Sequence, residues 1–177
     1  MDSVFEDLYT KYHHDVFHFL FYMVRNREQA EDLVQEVYIR VLKSYDRFEG
    51  KSNEKTWLFA IAKNVAIDHF RKQKGWKRWI LSTLDGTTVQ VMDDEPLPEE
   101  IAIQREELKL MYRCLKYCTV DQKLVLVMRY MQDLSIVETA AILKWTESKV
   151  KTTQHRALKT LKKHMEDLAK KEGFVHG

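Results

Sequence analysis

The sequence predicts an all-α protein made of two small helical domains joined by an acidic flexible linker. Three observations carry this. Glycine and proline number only 5 and 2 in 177 residues, whereas a sandwich or barrel of short strands needs such turn residues throughout. Hydrophobic residues make up 45% of the chain, enough for a folded core and too many for wholesale disorder. Apolar side chains recur at helical spacing over most of the length, often behind residues that cap helices.

The first helix is read from Val4 to Val24, with Val4, Leu8, Tyr12, Val16, Phe19, Leu20 and Met23 on one stripe. Phe5, Tyr9, Phe17 and Phe21 form a second apolar face, so both sides need cover. Ser3 and Glu6 have the spacing of a capping box. The second helix carries Ala30, Leu33, Val34, Val37, Tyr38, Val41, Leu42 and Tyr45 inward, with Asn26 as N-cap and Glu28 in the first turn. Its opposite face carries Glu31, Asp32, Gln35, Glu36, Ile39 and Arg40. After Gly50 and a polar loop, a third helix is expected from Thr56 to Lys74. Trp57, Leu58, Ile61, Ala62, Val65 and His69 stripe one side. Asn64, Asp68, Arg71 and Lys72 share a polar one.

From Gly75 to Pro98 the periodicity fails. Six acids and no basic residue lie between Asp85 and Glu100. A structureless stretch of this length is improbable inside one compact domain, so the division falls here: a first domain over 1–75, a linker over 76–98, a second domain over 99–171 and a tail over 172–177. Four helices are expected in the second domain. One covers about Glu99 to Lys116. The next follows a Thr119–Gln122 capping box and ends at Met131. A short one follows a Ser135–Glu138 box and ends near Leu143. The last runs from Thr146 or Glu147 to about Lys170.

Several function classes are excluded or left without support. The acidic start MDSVFEDLY lacks the basic region of a secretory signal, and the longest run without a fixed charge, between Asp15 and Arg25, is nine residues, where a membrane span needs about 20. A cytoplasmic protein, not inserted in a membrane, is expected. Cys114 and Cys118 are too few for a disulfide scaffold and lack companions for a tetrahedral metal set, so they are read as reduced packing residues. No Glu-x-x-His pair of a helical-bundle metal oxidase occurs, and no phosphate-binding glycine loop or nucleophile motif appears. His13, His14 and His18 beside Asp15 are read as surface or packing histidines. Neither a metal nor a cofactor is expected, nor any catalysis by this chain.

The formal net charge of +2 hides an uneven distribution. Residues 63–78 carry six basic and one acidic side chain, and residues 144–177 carry nine and four, while the intervening blocks are net acidic. Separate basic blocks attract polyanions even in a nearly neutral chain. The second block has a layout that explains it: a short capped helix with Ala140 and Ala141, a three-residue turn Lys144-Trp145-Thr146, and a longer helix opening at Glu147. This is a helix-turn-helix, whose second helix enters the major groove by its N-terminal end. Val150, Ala157, Leu158 and Leu161 are assigned inward. Lys149, Lys151, Thr152, His155, Arg156 and Lys159 are the candidate DNA contacts, since Arg and Lys donate to guanine O6 and N7 and Thr bonds bases or phosphates. The first block, following Trp57, has the aromatic-plus-cation composition of a single-strand binder.

Three segments, AEDLVQEVYIRVLKSYDRF (30–48), TWLFAIAKNVAIDHFRKQ (56–73) and ESKVKTTQHRALKTL (147–161), resemble in order and spacing the extracytoplasmic function (ECF, group 4) sigma factors of bacterial RNA polymerase. The resemblance covers nearly the whole chain and is of the sigma-X type found in Bacillus-like bacteria. It implies a sigma2 domain and a sigma4 domain that together direct core polymerase to a −35/−10 promoter, within a cell-envelope stress or signalling regulon. It also implies that Glu31, Asp32, Gln35, Glu36, Ile39 and Arg40 bind the β′ clamp of the polymerase, with sigma4 on the β flap. By the same resemblance the loop at 49–55, with Ser52, Asn53 and Lys55, takes a flipped −10 base, and Trp57, Asn64, Asp68, Arg71 and Lys72 read the −10 element or support that reading. Relatives are held inactive by an anti-sigma factor, often membrane-bound, so such a partner is implied. Thr153 and Gln154 stand where many relatives carry an arginine and an apolar residue, and Trp145-Thr146 replaces a proline-containing turn. The alternative reading is a helix-turn-helix regulator with a helical sensor domain, which leaves the first basic block and the Glu31–Arg40 face unexplained.

Overall fold

The computed structural model describes residues 2–48, 53–83, 99–103, 105–171 and 173. Every regular element among them is helical. Helix α1 covers Asp2–Val24, and Ser3 lies within that span. Arg25 ends α1 in the left-handed region (φ 59°) while its N–H donates to the Phe21 carbonyl at 2.7 Å. Asn26 then caps α2 (Arg27–Ser44), its side chain accepting from the Gln29 N–H, and a 3₁₀ turn (Tyr45–Arg47) follows. Asn53 opens α3 (Glu54–Thr83) by accepting from the Lys55 N–H at 2.8 Å through its side chain and from the Trp57 N–H at 3.0 Å through its carbonyl.

Helix α3 continues past the expected end at Lys74 to Thr83, into what the sequence suggested was linker. Gly75 does not break it. A glycine in a helix interior costs only about 1 kcal/mol relative to alanine, and the next proline is Pro96. Ser52, residues 84–98 and most of the tail lie outside the described residues, and with them most of the acidic segment.

The helix expected over 99–116 is divided. Helix α4 (Glu99–Ala102) is one turn, and α5 (Glu106–Cys114) starts afresh after Arg105, whose extended backbone (ψ 151°) cannot continue a helix. A 3₁₀ turn (Leu115–Tyr117) precedes α6 (Val120–Leu126), which opens with the expected Thr119–Gln122 capping box. Val127–Met131 then widen into a turn of π geometry. The Ser135–Glu138 box opens α7 (Ile136–Leu143), and α8 runs Glu147–Lys171.

Helices α1, α2 and α3 pack around Val16, Phe19, Leu20, Met23, Val37, Val41, Leu58, Phe59 and Ala62, all fully or almost fully buried. Each large side chain among them contributes about 1.5–3 kcal/mol relative to exposure. This core continues into the second half through Tyr112, Leu124, Met128, Leu134 and Ile142. Helix α7 lies on α3, the Phe21 and Tyr112 rings stack at 6.0 Å, and the Gln132 side-chain amide donates to the Asp15 carbonyl at 3.3 Å. The two halves are thus packed on each other. Phe59, Lys63 and Ala66 are also buried on α3, with the Phe59 ring edge-on to Phe19 of α1 at 5.6 Å. A smaller core of Cys114, Leu115, Cys118, Leu126, Ala157 and Leu161 holds α8 to α5 and α6. Both cysteines are buried, and burial pushes the Cys118 thiol up to about 11. Val4, Leu42 and Leu158, all assigned inward from periodicity, are exposed instead. Val4 sits in the first turn of α1, and Leu42 and Leu158 sit on the flanks of stripes that Val41, Ala157 and Leu161 already fill.

Candidate polymerase and nucleic-acid interfaces

Helix α2 buries Ala30, Val37, Tyr38 and Val41, which turns the other expected set outward. Glu31, Asp32 and Gln35 are exposed and Glu36 and Arg40 are half-buried. Ile39 is 45% exposed and Leu42, one turn on, 46%. An apolar pair set among charges is the composition of an interface core with a polar rim. The sequence reading found Ile39 but placed Leu42 inside.

Arg40 does not point freely from this face. Its Nε donates to Glu36 Oε1 and its Nη2 to Asp68 Oδ2, both at 3.0 Å. Burial alone would lower its pKa, but the hydrogen bonds it donates to these two carboxylates, with their charges, outweigh it and raise the value. On α3, Asn64, Arg71 and Lys72 are exposed, and Arg71 Nη1 lies 4.0 Å from Asp68 Oδ1. Asp68 therefore stands between two arginines.

Between α2 and α3 a groove of about 340 Å³ is lined by Arg40, Lys43, Ser44, Ile61 and Asn64. Ile61 gives an apolar wall, and Arg40, Lys43 and Asn64 supply polar ones. Lys43 and Ser44 were not named from sequence and Ile61 was read only as part of the apolar stripe of α3, although each lies three or four residues from Arg40 or Asn64, the spacing of neighbours on one helix face. Trp57 is half-buried, its ring 4.8 Å from Phe48 and edge-on to Tyr45 at 6.4 Å. That ring is engaged in packing. The Lys55 ammonium lies 5.8 Å above Phe59, and Asn53 is exposed beside it.

The helix-turn-helix is capped at each step. Ser135 Oγ accepts from the Glu138 N–H at 3.0 Å, and Glu138 Oε1 accepts from the Ser135 N–H at 3.1 Å. Lys144 takes the left-handed conformation (φ 58°) that ends α7, with the Trp145 N–H donating to the Ala140 carbonyl. Thr146 Oγ1 accepts from the Lys149 N–H at 3.1 Å, which makes Thr146 the cap of α8. Lys149 sits with its ammonium 4.1 Å above the Trp145 ring, a cation–π contact that holds it at the turn. Val150, Ala157 and Leu161 are buried, and Lys151, Thr152, His155, Arg156 and Lys159 are exposed.

His13, His14 and His18 lie along α1. The His13 ring nitrogen Nδ1 bonds the Tyr9 carbonyl, and its ring stacks on Tyr9. Among the described residues, no group of three or more His, Cys, Asp or Glu side chains is placed to hold a metal ion, and no helix is long and apolar enough to cross a membrane.

Comparison with known proteins matches this architecture half by half. Sigma-70 region 2 matches residues 8–75, and sigma-70 region 4 matches residues 119–163. The chain is 55% identical over 166 residues to the ECF RNA polymerase sigma factor SigX of Bacillus subtilis (strain 168), covering 94% of this chain and 86% of that protein. The chain belongs to the ECF group of the sigma-70 family. The sigma factor is also 34% identical over 164 residues to the RNA polymerase sigma factor YlaC of the same organism, covering 93% and 92% of the two chains. Its fold resembles that of the sigma factor RpoE in complex with the anti-sigma factor NepR from Bartonella quintana (TM-score 0.71, 22% identity, 92% of this chain and 96% of that one). It also resembles CnrH in complex with the cytosolic domain of CnrY (TM-score 0.68, 17% identity, 94% and 90%). The sigma2 and sigma4 halves expected from sequence thus correspond to α1–α3 and to the helices around α7 and α8.

Proposed function

We propose that this sigma factor binds core RNA polymerase through the exposed face of α2 and carries it to promoters by reading the −10 element with α3 and the −35 element with α8. The observation that carries this reading is the exposed row Lys151, Thr152, His155 and Arg156 at the start of a fully capped helix-turn-helix. Arginine reads guanine edges there, and the lysines neutralise phosphates.

At α2, Glu31, Asp32, Gln35, Glu36, Ile39 and Leu42 are the polymerase-facing set, directed to the β′ clamp. Arg40, Lys43, Ser44, Ile61 and Asn64 form the groove for a base unstacked from the −10 element, with Arg71 and Lys72 on the flanking phosphates. Trp57 and Asp68 support that surface, Trp57 by packing on Phe48 and Asp68 by holding Arg40 and Arg71. The sigma4 half serves the β flap and the −35 duplex. Catalysis belongs to the polymerase, and the work is cytoplasmic. The RpoE structure holds that sigma factor with the anti-sigma factor NepR, and a partner of the anti-sigma class is proposed here too. Run-off transcription with purified core polymerase on promoter libraries tests the reading. A sigma factor yields start sites sharing −10 and −35 elements, whereas a helix-turn-helix regulator neither binds core polymerase nor supports initiation.

A further inference from the structure

Gln154 occupies a place on α8 where an apolar side chain is expected. It lies on the inward stripe with Val150, Ala157 and Leu161, all buried, and a polar group in such a place needs a partner. The partner is Arg129, whose Nε donates to Gln154 Oε1 at 2.9 Å. The same guanidinium donates from Nη1 to the Leu134 carbonyl at 2.6 Å. Leu134 directly precedes Ser135, the cap of α7. One planar, rigid fork therefore spans the entrance to the first helix of the helix-turn-helix and the second turn of the recognition helix.

The backbone around Arg129 is shaped for this. Arg129 sits within the π-geometry turn Val127–Met131, a form that recurs at functional sites. The following turn is fastened by the Gln132 N–H on the Val127 carbonyl and the Leu134 N–H on the Met128 carbonyl, with Asp133 left-handed between them. His155 directly follows Gln154, and Lys151, Thr152 and Arg156 lie within three residues of it. A small rotation of α8 about its axis therefore moves the whole proposed contact row.

We propose that Arg129 and Gln154 are a positioning pair that sets the rotation of α8 against α7 and thereby tunes sequence preference at the −35 element. Neither side chain need touch DNA. The proposal rests on the reading of α8 as the −35 helix.

The test uses the full-length protein with core polymerase on a library randomised at the −35 element, in wild type, Arg129→Met, Arg129→Lys, Gln154→Leu, the Arg129→Met/Gln154→Leu double variant and Arg156→Ala. Thermal melting and core pull-down are read alongside. Arg129→Met is expected to change the ranking of −35 sequences by about tenfold, within the range of one base contact, with core binding unchanged. Arg129→Lys, which keeps a cationic donor, recovers part of the wild-type ranking. The double variant, an apolar pair, departs from the sum of the single changes, as coupled neighbours do. If Arg129→Met and Gln154→Leu lower the melting temperature and all promoters alike, with the ranking intact, the pair is structural only and the proposal is wrong. If Arg156→Ala re-ranks the library and these variants do not, the positioning role fails alone. If none of them re-ranks it, the assignment of α8 to the −35 element fails with it.

Discussion

Arg40 Nη2 donates to Asp68 Oδ2 at 3.0 Å across the junction of α2 and α3. The residues are 28 apart in sequence, one lining the proposed −10 groove from α2 and the other on the proposed −10 helix. Their side chains are 34% and 41% exposed, and exposed pairs stabilise by at most about 1 kcal/mol. Asp68→Asn should therefore cost less than about 1 kcal/mol in urea unfolding. It should reduce −10-dependent transcription far more, because Arg40 and Arg71 lose the carboxylate between them. A variant with wild-type run-off yield removes Asp68 from the supporting set.

The exposed face of α2 makes a separate prediction. Reversing Asp32 and Glu36 to lysine should weaken core-polymerase pull-down while leaving the far-ultraviolet circular dichroism unchanged, since the opposite face of α2 carries the packing. Undiminished pull-down would move the interface elsewhere.

Much of this arrangement is legible in sequence because it is local. The Asn26 cap and the Thr119 and Ser135 capping boxes each depend on residues three positions apart, and all form as read. What escaped depends on distant partners. Phe59, Lys63 and Ala66 are buried because α3 is covered on more than one side, by Phe19 of α1 against Phe59 and by α7 alongside, which the periodicity of α3 cannot announce. The groove lining by Lys43, Ser44 and Ile61 needs two helices side by side. Arg129 and Gln154 meet across 25 residues. Leu42 and Leu158 were misplaced because spacing marks a stripe but not where its edge meets solvent.

Gly75 lies inside α3, and a Cβ built on it meets nothing within 4 Å. Gly75→Ala should stabilise the protein by about 0.5–1 kcal/mol, through lower chain entropy in the unfolded state and better helix propensity. Urea midpoints of the two proteins check this. A lower midpoint in the alanine variant would mean that the helix does not run through residue 75.

Acid should loosen the fold through two histidines. His18 borders a cavity of about 160 Å³ with Asp15, Tyr22, Ile101, Met131 and Gln132, where the two halves meet. Burial, then the neighbouring His14, hold its pKa below 6.5 against the opposing pull of Asp15. Burial, then Lys72, do the same to His69. Both groups bind protons more readily in the unfolded chain, so their contribution is fully present above 6.5 and is lost as pH falls through the lower folded-state values. Urea midpoints of wild type should fall between about pH 7 and pH 5.5 more steeply than those of His18→Asn/His69→Asn. Parallel curves would assign the acid sensitivity to other groups.

Helix α8 is proposed to read the −35 element of promoters served by core polymerase carrying this chain. Transcription from a −35 library by holoenzymes built with wild type, Arg156→Ala and Lys159→Ala tests it most directly. Arg156→Ala should relax preference at one or two −35 positions, an effect of about 1–3 kcal/mol for a lost bidentate guanine contact. Lys159→Ala, farther along α8, should weaken all promoters more evenly and lower the salt dependence. Neither should unfold the domain, because Val150, Ala157 and Leu161 carry the packing. Unchanged −35 preference in Arg156→Ala with activity intact would contradict the account.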